Sequence, residues 1–256
     1  MDYSLPLFFR SYDSVTPLVI LHGLLGDSSN FRSTAEILGR KRPVIVPDLR
    51  NHGNSPKSPL FDYSYITEDI RRLVDEQQIT RLHILGHSMG GKAAMVFADT
   101  YPDLVDKLII VDIAPKRYPD YHVEVLDAMI SMDLDSCKRI DDVVDALSKK
   151  IPFPPVCNFL VKNLSSSPGG GFTWKPDLDS LRQNKDHINP ALQLKRRFNR
   201  PVLFIKGELS NFIQQQDYAT IKKLYPRVEF SEIKRAGHWV HIDARDEFIV
   251  AVSNFL

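Results

Sequence analysis

An open α/β fold, its mostly parallel sheet covered by helices on both faces, is predicted by three features of this 256-residue sequence. Short runs rich in Val, Ile and Leu recur along the chain, as expected of strands buried on both faces. Segments with apolar residues at helical spacing separate these runs, which suits crossover connections between parallel neighbours. One run leads into Gly86-x-Ser88-x-Gly90 and then at once into a helical stretch of small residues. That is a sharp strand-to-helix turn.

Taken in order, strands are expected at residues 7–10, 18–21, 44–46, 82–85, 108–111, 202–205 and 228–233. Phe31, Ala35 and Leu38 keep helical spacing, as do Ile66, Ile70, Leu73 and Val74. From Gly90 to Phe97 nearly every residue is small or apolar, so this helix should lie flat on the sheet until Tyr101-Pro102 ends it. The last helix carries Phe248, Ile249, Val252, Phe255 and Leu256 on one face, with Asp243 as its N-cap. The rhythm breaks at residues 114–199, which hold helical patterns such as Ile140, Val143, Val144 and Leu147 but no strand. Pro152, Pro154, Pro155 and the glycine run 169–171 fall in the same stretch. Residues 1–113 and 200–256 are therefore assigned to the α/β core, and 114–199 to a helical cap over Ser88. Insertions of this kind leave the sheet at its carboxyl edge, where ligands bind. The glycine run is no phosphate loop, since neither a preceding strand nor a Gly-Lys-Ser/Thr accompanies it.

Composition narrows the function classes. A net charge of +1 with 25% charged residues leaves no electrostatic footprint for nucleic acid or an anionic membrane. No apolar run reaches the ~18 residues of a membrane span. Met1-Asp2-Tyr3-Ser4 opens neither a basic nor an apolar leader, so a cytoplasmic location is expected. Cys137 and Cys157 are expected as free thiols. No cofactor or metal is expected, and composition implies no particular oligomeric state.

The chemistry centres on Ser88. A hydroxyl at this turn is lifted above the sheet edge at a helix N-terminus, where developing negative charge is favoured. It needs a base, and the base needs an orienting group. His238 stands beside Gly237 in the loop after the last strand, while His241 is its near rival. Asp112 ends the strand expected beside the Ser88 strand, about 4.8 Å away, and is the candidate acid. Ser210 occupies the loop where this fold commonly carries its acid, and is read as an auxiliary partner of His238. Glu208 and Asp217 are the alternative acids. The Met89 N–H and the Leu24 N–H, the latter beside His22-Gly23, are candidate oxyanion donors. His22, Gly23, Trp239 and Trp174 are expected at the substrate, and Phe153, Phe159 and Met129 in an acyl pocket.

Together, His22-Gly23, the stretch Asp48-Leu49-Arg50-Asn51-His52-Gly53-Asn54-Ser55, Gly86-His87-Ser88-Met89-Gly90-Gly91 and Gly237-His238 resemble the α/β-hydrolase superfamily. Val111-Asp112-Ile113-Ala114-Pro115, with Ser210 in the usual acid position, is similar to bacterial YbfF-type esterases. The resemblance implies an eight-stranded-type sheet, Asp112 as acid, and Ser210 completing a tetrad with Ser88 and His238. It implies substrates that are carboxylic esters and acyl-CoA thioesters. The same framework also suits lyases and C–C bond hydrolases. His238-x-x-His241-x-Asp243 suggests a metallohydrolase, a reading that no second cluster supports. A non-catalytic binding module is disfavoured by the full set of candidate groups. Lys195, Arg196, Arg197 and Arg200, with Lys116 and Arg117, are candidates to meet the phosphates of CoA.

Overall fold

The computed structural model describes residues 4–5, 16–167 and 170–256, so the strand expected at 7–10 lies outside the described residues. Six parallel strands form the main sheet: β1 (Leu18–Leu21), β2 (Val44–Ile45), β3 (Leu82–His87), β4 (Val105–Val111), β7 (Val202–Gly207) and β8 (Val228–Ile233). Their order is β2-β1-β3-β4-β7-β8. The sheet thus has six strands among the described residues where an eight-stranded type was expected. The chain runs outward from β1 to β2 and then returns to the other side of β1 as β3. The carboxyl ends of β1 and β3 are therefore the switch point, the usual ligand position in open α/β sheets.

Alternation along each strand sorts the core into two layers. Val19, Leu21, Ile84, Leu108, Ile110, Val202 and Phe204 face one layer. Leu18, Ile20, Leu85, Ile109, Val111, Leu203 and Ile205 face the other. The first layer packs on α2 (Tyr63–Glu76) and α3 (Met89–Thr100), the second on α1 (Arg32–Leu38) and α10 (Arg245–Phe255). Within α2, Ile66, Ile70, Leu73 and Val74 are all buried, as their spacing predicts. Arg50 and Asp69 form a fully buried two-pronged ion pair that ties the loop after β2 to α2. Asp243 does not cap α10; Ala244 stands there, and the Asp243 carboxylate accepts the Gly237 N–H at 2.8 Å.

Between β4 and β7 the chain forms α4 (His122–Ile130), α5 (Ile140–Ser148), α6 (Pro154–Leu160) and α7 (Leu178–Gln183). It also forms a hairpin, β5 (Leu164–Ser166) with β6 (Phe172–Trp174), where no strand was expected. Strands of three residues are too short to leave a readable alternation. The remaining helices, α8 (Asp217–Leu224) and α9 (Val240–Asp243), follow β7 and β8. Cys137 and Cys157 are both buried and unbridged. Among the described residues no helix is long and apolar enough to cross a membrane.

Candidate active site

β3 continues through Gly86 to His87, two residues beyond the apolar run, and Ser88 follows at φ 53°, ψ −119°. This backbone conformation is costly for a non-glycine residue and is held only by its surroundings. The Ser88 N–H donates to the Val111 carbonyl at 3.0 Å, and the Ser88 carbonyl accepts the Lys92 N–H at 3.1 Å. A Cβ on Gly86 would fall on the Gly90 carbonyl, and one on Gly90 on the carbonyls of Leu21 and His22. Only glycines permit so close an approach. The Ser88 hydroxyl makes no capping bond to α3, which removes the bland role of a serine at a helix start.

Asp112 also has a positive φ, 52°, immediately after β4, and is completely buried. The parallel pairing of β3 with β4, and of β4 with β7, brings it beside the next two loops. His238 Nδ1 donates to Asp112 Oδ2 at 2.8 Å, which leaves Nε2 as the nitrogen on the opposite side of the ring. The His238 ring stacks on Phe212 at 3.8 Å between centroids. Gly207 N–H donates to Asp112 Oδ1 at 3.2 Å, and Ser210 Oγ donates to Oδ2. Ser210 therefore serves the carboxylate; it is not the partner of His238 that its position suggested. The rival groups are committed elsewhere. Glu208 binds Lys234 and the Arg235 N–H, and Asp217 binds Lys116 and the Gln214 N–H. His241 is buried and stacked on Phe31 at 4.2 Å, where desolvation lowers its pKa to about 3. His238, His241 and Asp243 thus engage different partners: the Asp112 carboxylate, the Phe31 ring and the Gly237 N–H.

Ser88 and His238 line one cavity of about 650 Å³, which also takes in Gly23, Leu24, Met89 and Trp239. Its apolar wall includes Leu25, Phe31, Val156, Phe159 and Leu160. Lys116, Arg117, Asn189, Asn211 and Gln214 line it as well. The Met89 amide is the first of α3, so α3 offers it no carbonyl partner. A turn closed by Gly26 N–H on the Gly23 carbonyl at 3.0 Å sets the backbone around Leu24.

Several expected residues lie elsewhere. His22 is wholly buried beneath this turn: Nε2 accepts the Leu49 N–H at 2.9 Å, so Nδ1–H must donate to the Gly23 carbonyl at 2.8 Å. It shapes the loop and does not line the cavity. Trp174 donates its indole N–H to the Met129 carbonyl at 3.1 Å, and Met129 is core. Neither lines the cavity, and Phe153 stands 65% exposed. The backbone N–H groups of Lys195 and Arg196 donate to Asp99 near the C-terminus of α3, and Arg200 pairs with Asp106 at the start of β4. α3 has 12 residues, so its end lies ~18 Å from Ser88. That basic cluster does not line the cavity, whereas Lys116 and Arg117 do.

Lys92 escaped notice in the sequence. Its ammonium, fully buried, donates to the Lys116 carbonyl at 2.8 Å and to the Pro190 carbonyl, clamping entry and exit of the insertion onto α3. Desolvation lowers its pKa to about 7. A lone lysine among small apolar residues was the available signal. Asn163, whose amide donates to the Leu25 carbonyl at 2.8 Å, left none.

Residues 16–146 match the family described as alpha/beta hydrolase fold. The sn-1-specific diacylglycerol lipase ABHD11 of Mus musculus is 34% identical over 98% of this chain and 85% of its own. Esterase YbfF of Escherichia coli (strain K12) is 30% identical over 94% of this chain and 93% of its own. A solved structure described as a marine microorganism esterase superposes with a TM-score of 0.95 at 36% identity, covering 99% of this chain and 100% of that one.

Proposed function

The chain belongs to the alpha/beta hydrolase fold family, and from that premise we propose that it hydrolyses carboxylic esters through an acyl-enzyme on Ser88. The observation that carries the reading is the 2.8 Å bond from His238 Nδ1 to the buried Asp112 carboxylate, with His238 and Ser88 lining one cavity. His238 Nε2 takes the Ser88 proton as Oγ adds to the ester carbonyl. The Leu24 and Met89 amides receive the oxyanion. Asp112 stabilises the imidazolium, its own orientation supported by Gly207 and Ser210. His238 then gives its proton to the departing alcohol, and a water activated by the same imidazole releases the acid and frees Ser88. Residues 114–199 act as a cap, with Phe159 and Leu160 on the acyl side of the cavity.

Acyl-CoA thioesters belong to the proposed class through the same acyl-enzyme, with Lys116 and Arg117 as the cations in reach. Lys116 is already neutralised by Asp217 at 2.6 Å, which favours uncharged leaving groups. The test is a panel of chromogenic esters, a diacylglycerol and acyl-CoA at matched chain lengths, run on the wild type and Ser88→Ala. An alcohol burst in the wild type and a loss of ~10³-fold or more in the variant are expected. Undiminished turnover by Ser88→Ala would overturn the assignment. A burst also separates ester hydrolysis from lyase or C–C bond cleavage on the same groups.

A further inference from the structure

His87, the last residue of β3, adjoins Ser88 in the chain and points its imidazole at the loop carrying His238. Nε2 lies 2.9 Å from the His238 backbone carbonyl. A carbonyl only accepts, so Nε2 bears the hydrogen and Nδ1 is bare. The ring centroid is 4.8 Å from the rings of both His238 and His241. The opposite edge of the imidazole faces the turn that carries Leu24, since a Cβ on Gly23 would come within 3.0 Å of Nδ1. One ring thus spans the gap between the two loops that flank the serine. Burial, reinforced by the neighbouring His238 and His241, holds its pKa well below the usual histidine range. The ring therefore stays neutral while His238 gains charge.

We propose that His87 is a positioning residue: a neutral strut on the nucleophile's own strand, whose Nε2–H holds the His238 carbonyl and whose far edge abuts Gly23. The proposal rests on the Ser88–His238 reading. Asp112 sets the direction of the His238 ring, and His87 sets the height of its backbone over Ser88. Neither group replaces the other.

The test compares His87→Phe, which keeps ring bulk without a donor, with His87→Gln, whose terminal amide nitrogen reaches the position of Nε2. In His87→Phe, kcat for a short chromogenic ester should fall ~30- to 100-fold with KM little changed, the size of loss expected from a small misplacement. Inactivation by a fluorophosphonate should slow in parallel. His87→Gln should retain roughly a third or more of kcat, because the hydrogen bond is restored. If His87→Phe does not fold, His87→Asn replaces it, since its amide ends at the Nδ1 position and cannot reach the carbonyl. Equal turnover in the donor-less variant and His87→Gln would overturn the proposal, as would wild-type kcat in His87→Phe. Full turnover by Ser88→Ala would instead overturn the reading beneath it.

Discussion

The carboxyl edge of the sheet and the insertion at residues 114–199 face one cavity but are built in different ways. At the sheet edge the polar groups that support Ser88 and His238 are buried and held by more than one partner. Asp112 has no exposure and meets His238, Gly207 and Ser210. His22 spans two backbone groups, and the strained backbone at Ser88 and Asp112 is enforced by neighbouring strands. In the insertion, cavity-lining side chains such as Phe159, Val125 and Val156 are apolar and only partly buried, and Tyr121 is 74% exposed. Polar ties at its margins anchor it to the core, among them Lys92 to the Lys116 and Pro190 carbonyls, Asn163 to the Leu25 carbonyl, and the Asp177 N–H to the Asn51 carbonyl. Directional bonds in a dry setting define reacting atoms tightly, whereas apolar contact defines only volume. Chemistry and selectivity are therefore expected to separate along this boundary.

Substitution at the sheet edge should cost most. Asp112→Asn removes the charge that selects the His238 tautomer and stabilises its imidazolium, so kcat should fall ~10³- to 10⁴-fold. Ser210→Ala, which removes one of several partners of that carboxylate, should cost about tenfold. Steady-state kinetics at neutral pH ranks the pair, and equal losses would break the proposed division of labour between them.

Acid should act next, and on the core first. Desolvation lowers the pKa of His52 and His241 to about 3 and that of His83 to about 4. Each folded-state value lies below the unfolded value near 6.5, so the unfolded chain binds more protons once pH drops below 6.5. The stability these neutral rings contribute is complete above about pH 6.5 and is lost as pH falls toward about 3–4, by up to ~1.4 kcal/mol per group per pH unit. Urea midpoints measured from pH 8 to pH 5 should be flat and then fall; a flat profile throughout would contradict the burial of these rings.

Changes in the insertion should be gentler and depend on substrate. Phe159→Ala removes an apolar wall that also tilts against Trp239 at 5.3 Å between centroids. KM for long acyl chains should rise ~10-fold, with little effect on acetyl esters, because only the long chain uses the lost surface. A uniform change in kcat across chain lengths would place Phe159 with the reacting groups. Smallest of all, Arg196→Ala with Arg197→Ala should alter KM for acyl-CoA by less than about twofold. Exposed charges more than a Debye length from a site are largely screened. A salt-dependent rise in KM for acyl-CoA alone would reverse that expectation.

Local pattern was enough for much of this architecture. The six sheet strands, the helices α2 and α3, and the turn at Ser88 follow from apolar spacing and from glycines where no side chain fits, all features of near neighbours in the chain. The His238 position was legible too, as a histidine beside a glycine between the last strand and its helix. Tertiary structure alone decided what Ser210 and His87 bind, since both partners lie in distant segments brought together by the strand order. It also left His22, Trp174 and the basic cluster out of the cavity lining and assigned Lys92 to the neck of the insertion. A side chain's neighbours across a sheet depend on register and crossover, and no window of sequence contains both.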